Sequence, residues 1–365
     1  MVGGYTLPRM RLWGCLLIEL TLASLLLAGA ATGGVQGWRT LRAWRDDAQI
    51  ARGPAARKTA GLRPRQDLSG LTATELSVAT SGTFLGMADD ILLERLRKQP
   101  IARLKLNRGG SSLSFRVDFA DGSRAAWKPA QTNAQTVPRK EVAAYRLNRL
   151  LGLDAVPPAA PRSLSKEELF GLLHPETLPS VPRIRAETII GPSGQIAGEA
   201  SYWIPVIKDC DLDTPEGHQV MATWLTQSGQ IPYERRGLAA EVAVLTVFDF
   251  LIANPDRYSG GNMKTSQDGK KLFFMDNTMS FFLEPQSTEK NRLNLLRQQR
   301  FSRRLHDALA QVEVPTLRRL LREPDGTEIL TDAEIRAVVQ RRDYVQRYVT
   351  DLIKQFGEAK VLYFP

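Results

Sequence analysis

Residues 244–282 read VLTVFDFLIANPDRYSGGNMKTSQDGKKLFFMDNTMSFF, and most of what the sequence predicts about the fold starts from this stretch. An apolar helical run over residues 239–253 leads into it. Asn254 and Pro255 end that run, because a residue before proline is pushed out of the α region. A polar loop and a predicted hairpin follow, so the stretch reads as helix, loop, strand, turn and strand.

Three polar residues of this stretch are suited to phosphoryl transfer. That reaction needs a carboxylate to orient and deprotonate an attacking hydroxyl, and oxygen ligands for a divalent ion. Asp256, in a loop directly after a helix, suits the first role. A hairpin turning at residues 267–269 brings Asp276 back to face Asn262, and these two suit the second role.

Arg257 has a candidate partner within the same stretch. Asp249 lies among apolar neighbours on the preceding helix, where a charge needs a counter-ion. A pair between Arg257 and Asp249 would anchor the loop to the helix. The alternative is a loop held by an ordinary salt bridge and a strand capped by Asp276 and Asn277, with no catalytic role.

Residues 101–127 alternate apolar and polar side chains in three segments, which predicts three antiparallel strands. The turn between the first two holds Gly109, Gly110 and Ser111. Its backbone N–H groups could cover the phosphates of a nucleotide, and the third strand would present Lys128 to them. The alternative is an ordinary hairpin turn, which most Gly-Gly turns are.

A helix predicted over residues 139–151 carries Glu141 in its first turns. A glutamate there could pair with Lys128 and hold it against the phosphates, or help to bind a metal ion. The alternative is a solvent-facing glutamate favoured by the dipole at the helix N-terminus.

The remaining elements are predicted from capping and periodicity. They are a helix over residues 88–96, a capped short helix over 163–168, a hairpin over 187–205, a basic helical segment over 291–312 and a long helix over 332–356 with Asp332 as its N-cap.

The length, charge and cysteine content of the chain limit the kinds of protein it can be. With 365 residues and 43% hydrophobic content, the chain can bury one large core or two lobes. The net charge of +10 is spread along the chain, which favours an acidic substrate, a nucleotide or a membrane surface over nucleic acid as partner. Cys15 and Cys210 are the only cysteines, too few for a disulfide framework or a zinc site of the usual kind.

An N-terminal segment could enter a membrane. Residues 12–31 carry a single charge, Glu19, and they are long enough to cross a bilayer. We expect a single-pass membrane protein anchored by this helix, with secretion after signal cleavage as the alternative. Arginines flank the segment on both sides, so its orientation stays open.

Several motifs together resemble one known family. Residues 248–257 (FDFLIANPDR) followed by 274–277 (FMDN) resemble the catalytic region of the four-jointed and Golgi casein kinase family. These are secretory-pathway kinases with an atypical kinase fold, more distantly similar to HipA-type and phosphatidylinositol kinases. Residues 119–129 (FADGSRAAWKP) resemble the family's lysine strand, and residues 141–152 (EVAAYRLNRLLG) its glutamate helix. The likeness covers about residues 104–282.

The resemblance implies ATP with Mg²⁺ or Mn²⁺ as cofactors, and a role for each matching residue. Lys128 would bind nucleotide phosphate, and Glu141 would pair with Lys128 or bridge to the metal. Asp256 would be the catalytic base and Asp276 the principal metal ligand. Asn262 is the second metal ligand in this reading, although two glycines lengthen the loop before it.

Two further features depart from the family pattern. Tyr258 stands where many relatives have histidine after the Asp-Arg pair. The disulfides of the secreted casein kinases are absent, which puts a direct transfer of their compartment in doubt.

The sequence therefore predicts an α+β, bilobed, atypical protein-kinase-like fold with an antiparallel-sheet N-lobe and a mainly helical C-lobe. The predicted parts are a signal or anchor segment (1–37), a flexible basic linker (38–70), the N-lobe (71–208) and the C-lobe (209–365). We expect it to transfer the γ-phosphoryl group of ATP to a protein Ser or Thr hydroxyl. The alternatives are a glycan or lipid kinase with the same fold, or a non-catalytic pseudokinase scaffold.

Overall fold

The computed structural model describes residues 82–259, 261–283 and 285–365, which lie within one unit spanning Ala56–Pro365. The predicted anchor (1–37) and linker (38–70) lie outside the described residues. Within those residues, no helix combines the length and the apolar character needed to cross a membrane.

The strands are short and mostly antiparallel. In chain order they are β1 Thr83–Phe84, β2 Met87–Ala88, β3 Ile101–Leu106, β4 Phe115–Phe119, β5 Arg124–Pro129, β6 Ala159–Pro161, β7 Leu164–Ser165, β8 Gln195–Ile196, β9 Gly198–Tyr202, β10 Lys208–Asp209, β11 Met263–Thr265 and β12 Leu272–Phe274.

Helices dominate the C-terminal half. The α-helices are α1 Asp89–Lys98, α2 Pro138–Leu150, α3 Lys166–Gly171, α4 Val181–Glu187, α5 Pro215–Trp224, α6 Arg236–Ile252, α7 Pro285–Arg297, α8 Arg303–Ala308, α9 Val314–Leu320, α10 Asp332–Phe356 and α11 Glu358–Val361. Short 3₁₀ helices span Pro175–Ser180, Tyr233–Arg235 and Leu309–Gln311.

A five-stranded sheet with the order β3-β4-β5-β9-β6 holds the N-terminal part together. One face packs on an apolar cluster that includes Trp127 and Ala200, which are opposite each other on β5 and β9. A side chain at Gly198 would place its Cβ 2.7 Å from both the Lys128 carbonyl oxygen and the Trp127 indole nitrogen. Glycine therefore lets β9 approach β5 closely enough to pair.

The helical part has its own, larger core. Helix α6 is its centre, because residues 245–252 are all buried, most of them apolar members of this core. Apolar residues of α2, including Val142 and Leu147, belong to the same cluster. The helix that carries Glu141 thus belongs to the larger core and also lies against strands β6 and β9 of the sheet that carries Lys128, while the other face of that sheet packs on the smaller cluster.

A three-stranded sheet, ordered β10-β11-β12, joins a strand that precedes α6 to the two strands that follow the loop after α6. The hairpin predicted after Asn262 is confirmed as β11 and β12, and Gly269 takes a φ of 73° in its turn. Strand β10 lies at the predicted boundary between the two lobes and pairs with β11. The division of the chain at 208/209 stays a prediction.

The predicted helices over residues 88–96, 139–151 and 239–253 are confirmed as α1, α2 and α6 to within a few residues. The predicted hairpin over 187–205 is wrong, because β8 pairs with β7 and β9 joins the large sheet between β5 and β6. The predicted single helical segment over 291–312 is divided into the end of α7, then α8 and a 3₁₀ turn.

The N-cap of α10 is Thr331 and not the predicted Asp332. The Thr331 hydroxyl accepts a hydrogen bond from the Glu334 N–H, and the Glu334 carboxylate accepts one from the Thr331 N–H, forming a capping box. We expect Thr331→Ala to lower the free energy of unfolding by about 1 kcal/mol. Urea denaturation measures this, and Thr350→Ala, at an exposed position in the same helix, provides the control. Equal effects of the two substitutions would contradict the role of the cap.

Candidate active site

Arg257 is the fully buried centre of the loop after α6. Its guanidinium lies 3.2 Å from the Asp249 carboxylate, as predicted from the sequence. It also donates to the Asn277 side-chain oxygen at 2.6 Å, to the Asn262 carbonyl at 3.3 Å and to the Met275 carbonyl. One side chain therefore fixes helix α6, the loop and the end of β12 relative to one another.

The position of Asp256 is set by two asparagines. The Asp256 N–H donates to the Asn254 side-chain oxygen at 3.0 Å. The Asn262 amide donates to the Asp256 carboxylate at 2.9 Å and to its carbonyl at 3.0 Å. The two predicted loop residues are thus brought together, and the side chain of Asp256 is partly exposed while its backbone is held.

Lys128 of β5 and Asp276, just after β12, form a salt bridge of 2.6 Å. The Thr278 hydroxyl donates to the same Asp276 oxygen at 2.9 Å. Burial alone would raise the pKa of the Asp276 carboxyl, but the Lys128 ammonium and these hydrogen bonds outweigh it and hold the pKa below its ordinary value. Asp276 also has a φ of 55°, a strained conformation for a non-glycine residue.

Glu141 of α2 is buried and is bound by Asn277. Its carboxylate accepts from the Asn277 N–H at 2.5 Å and from the Asn277 side-chain amide at 2.9 Å. The salt bridge predicted between Glu141 and Lys128 is not formed: the Lys128 ammonium pairs with Asp276, and the hydrogen bonds of the Glu141 carboxylate are with Asn277. Burial raises the pKa of Glu141, although the Lys128 ammonium opposes that shift.

These contacts join the predicted residues into one connected site. Asn277 links Glu141 to Arg257, and Arg257 links both to the loop that holds Asp256. Sequence reasoning placed the charged members but missed Asn277, which is fully buried and connects them. Its position beside Asp276, directly after an apolar strand, was the available signal.

The predicted glycine turn lies between β3 and β4, as expected. Gly109 and Gly110 have φ values of 90° and 76°, which only glycine adopts readily. Ser111 accepts hydrogen bonds from Asn133 at 3.4 Å and from Arg183 at 2.8 Å. The contacts of this turn are therefore with the neighbouring loop and α4, and a phosphate-binding role stays a prediction.

Glu199 of β9 is a further charged residue at the site that sequence reasoning did not assign. It is opposite Lys128 in the strand pairing, so both side chains lie on the same face of the sheet. It is 1% exposed. Burial and the neighbouring Glu141 carboxylate raise the pKa of Glu199 well above its ordinary value, while the Lys128 ammonium lowers it.

This raised pKa predicts a pH dependence of stability. Because folding raises the proton affinity of Glu199, its contribution to stability falls as the pH rises from about 4.3 through the folded-state pKa, and then levels off. Glu199→Gln removes that titration. We expect the stability of the variant relative to wild type to increase from pH 5 to pH 8, measured by urea denaturation. A difference that is constant with pH would contradict this.

The site offers few ligands for a metal ion. Among them, no three His, Cys, Asp or Glu side chains are grouped closely enough to hold a metal ion. Mg²⁺ at phosphate sites uses one or two carboxylates, with phosphate oxygens and waters as the other ligands. Asp276 fits that smaller requirement, because 41% of its side chain is exposed and its contacts with Lys128 and Thr278 are both made by one carboxylate oxygen. Asn262, on the neighbouring loop, has a side-chain oxygen that could serve as a second ligand.

Comparison with known proteins agrees with this geometry at the level of fold. No family model matches the chain. The chain is 25% identical over 305 residues to the mouse protein named pseudokinase FAM20A. The matching region covers 69% of this chain and 56% of that protein. It matches the crystal structure of the Golgi casein kinase with Mn and ADP bound with a TM-score of 0.58 and 16% identity, over 75% of this chain and 78% of the other.

The chain has the kinase-like fold of the Golgi casein kinase and Fam20 structures. The structure of hydra Fam20 with sugar matches as well, with a TM-score of 0.55 and 16% identity over 80% of this chain and 98% of that one. The resemblance read from residues 104–282 is thereby confirmed. The mixture of helix and sheet described above is a kinase-like fold.

Proposed function

We propose that this Fam20-type chain is an ATP-dependent phosphotransferase that acts on a hydroxyl group. One observation carries the proposal. Lys128, Asp276, Glu141 and Asp256 come from different parts of the chain, yet one hydrogen-bond network around the buried side chains of Arg257 and Asn277 connects the segments that carry them. A purely structural core has no need for so many buried charged groups, each of which is costly to desolvate.

The proposed mechanism assigns a task to each side chain. The Lys128 ammonium neutralises phosphate charge in this mechanism, and its salt bridge to the Asp276 carboxylate supports that role. Asp256 orients the attacking hydroxyl and accepts its proton, while Asn262 fixes the carboxylate by donating to it at 2.9 Å. Arg257 does not touch the substrate in this mechanism and holds the loop in place.

Asp276, with Asn262 or Glu141 nearby, would hold a divalent ion, which supplies charge neutralisation at the transferred phosphoryl group. The Golgi casein kinase structure contains Mn and ADP, which supports Mn²⁺ and an adenine nucleotide as the first ligands to test. Mg²⁺ is the other ion that such oxygen ligands prefer.

The proposed acceptor is a protein Ser or Thr hydroxyl, in keeping with a fold shared with a casein kinase. A sugar hydroxyl is the first alternative, because hydra Fam20 was solved with sugar. A lipid acceptor also stays open, since acceptor pockets are formed by loops that vary on one fold. We further propose attachment to a membrane through residues 12–31.

A non-catalytic nucleotide-binding scaffold is the second candidate function. The similarity to a protein named a pseudokinase favours it. Against it, this chain retains Lys128, Glu141, Asp256 and Asp276 in one connected site.

The two candidates are separated by incubating the purified full-length chain with labelled ATP and Mn²⁺ or Mg²⁺. Casein and a glycan acceptor serve as substrates. Metal-dependent transfer that is lost in Asp276→Asn supports the phosphotransferase. Nucleotide-induced thermal stabilisation without turnover in either metal supports the scaffold and overturns the catalytic proposal.

A further inference from the structure

The side chain of Glu199 is a buried acid without a full set of partners. It is 1% exposed, its Oε1 lies 3.4 Å from the Ser201 hydroxyl, and its Oε2 has no hydrogen-bond partner among the residues that the structure describes. An unsatisfied buried oxygen is destabilising, whereas an apolar side chain of the same length would fill the space without that cost. Packing alone therefore does not explain a glutamate at this position.

Its place in the sheet relates Glu199 to Lys128. The two residues are directly opposite on β9 and β5, with the apolar pair Trp127 and Ala200 on the other face. Burial lowers the pKa of the Lys128 ammonium, but the carboxylates of Asp276 and Glu141 and, to a smaller extent, that of Glu199 raise it above its ordinary value. The ammonium of Lys128 is thus within the electrostatic reach of Glu199 although its salt bridge is with Asp276.

Lys128 and Asp276 form a salt bridge with each other, whereas the proposed function requires Lys128 to bind phosphate and Asp276 to bind a metal ion. An Asp276 carboxylate that binds a cation shares less of its charge with Lys128. The ammonium has three donors, so a second acceptor would keep it in the site when the first is engaged. The carbonyl oxygen of a carboxyl group accepts in either protonation state.

We propose that Glu199 is a positioning residue for Lys128, the alternative acceptor that holds the Lys128 ammonium in the nucleotide site when Asp276 is engaged by another ligand. The inference rests on the proposed function, because holding the Lys128 ammonium in place matters only if the site binds nucleotide. Its geometry can be tested without nucleotide or turnover.

The test follows the reactivity of Lys128 toward an amine-acylating reagent, by mass spectrometry of the full-length chain without nucleotide. Asp276→Asn weakens the first partner of the Lys128 ammonium, so the proposal requires Glu199 to hold the ammonium in that variant. In that background, we expect Glu199→Gln, which keeps an acceptor oxygen, to change the acylation rate less than about threefold. Glu199→Met, of similar length but without an acceptor, should raise the rate at least about tenfold.

Equal acylation rates of Lys128 in the Gln and Met variants would overturn the proposal. A thermal melt of each variant checks that acylation reports on a folded protein. If the Asp276→Asn background does not fold, the single variants are compared through their affinity for Mn–ATP. There Glu199→Met should weaken binding at least about tenfold more than Glu199→Gln, and equal affinities overturn the proposal.

The failure of the proposed function is recognised separately. If the wild-type protein binds no nucleotide, the proposed phosphotransferase function is overturned. The acylation rates of Lys128 still decide whether Glu199 positions it.

Discussion

Asp256→Asn should abolish phosphoryl transfer while leaving the protein folded and able to bind nucleotide. The asparagine keeps the size of the side chain and an oxygen that can accept from the Asn262 amide. It removes the negative charge and the ability to take a proton from the attacking hydroxyl. A positioned general base contributes a factor of about 10²–10⁴ to the rate, so kcat should fall by that factor.

The measurement is initial-rate transfer from labelled ATP, with nucleotide affinity determined in parallel. The affinity should change by less than about threefold, because the loss concerns the transition state and not ground-state binding. Asp351→Asn, in an exposed pair with Lys354 on α10, is the matched control and should retain full activity. More than about a tenth of wild-type activity in Asp256→Asn would remove Asp256 from the role of base.

The chain segments near this site were predictable because their signals are local. The helix before Asp256 ends where proline follows Asn254, and the hairpin before Asp276 turns where Asp268 and Gly269 favour it. Each of these signals acts within a few residues. Local sequence therefore predicted the order of helix, loop and hairpin, and with it the pair between Asp249 and Arg257.

What the sequence could not supply was pairing between distant segments. Strand β9 was assigned to a local hairpin, but it pairs with β5 and β6, and this pairing is what brings Glu199 to Lys128. No local pattern distinguishes a hairpin from a strand inserted in the middle of a sheet. The partner of Glu141 was missed for the same reason, since Asn277 reaches it only after the two parts of the chain pack together.

The strain at Asp276 was also outside local prediction. A φ of 55° at a residue with a side chain is costly, and the surrounding contacts must enforce it. Those contacts are the salt bridge to Lys128 and the anchoring of the next residue, Asn277, by Glu141 and Arg257. Strain at a proposed metal ligand is consistent with a site arranged for binding at the expense of stability.

Arg257→Met should cause the largest loss of stability of any single substitution in the loop. Its guanidinium is fully buried and satisfies Asp249, the Asn277 side chain and two backbone carbonyls. Removing one partner of a buried ion pair costs about 3–5 kcal/mol, because the other charge is left uncompensated. Urea denaturation of the full-length chain should show a loss of that size, with transfer activity lost as well.

A surface pair provides the control for this prediction. Arg303 pairs with Glu358, and both side chains are largely exposed. Arg303→Met should change the free energy of unfolding by less than about 1 kcal/mol. Combining Arg257→Met with Asp249→Leu should cost less than the sum of the single variants, because the double variant leaves no buried carboxylate unpaired.

The pH dependence of the Arg257→Met loss tests its cause. Burial raises the pKa of Asp249 to about 6, against the opposing effects of Arg257. Without the arginine that pKa rises further, so the folded variant binds a proton over a wider pH range and its stability falls more as the pH increases. The loss relative to wild type should therefore be smaller at pH 5 than at pH 8. A loss that is equal at both pH values would mean that packing, and not the uncompensated Asp249 carboxylate, is what Arg257 provides.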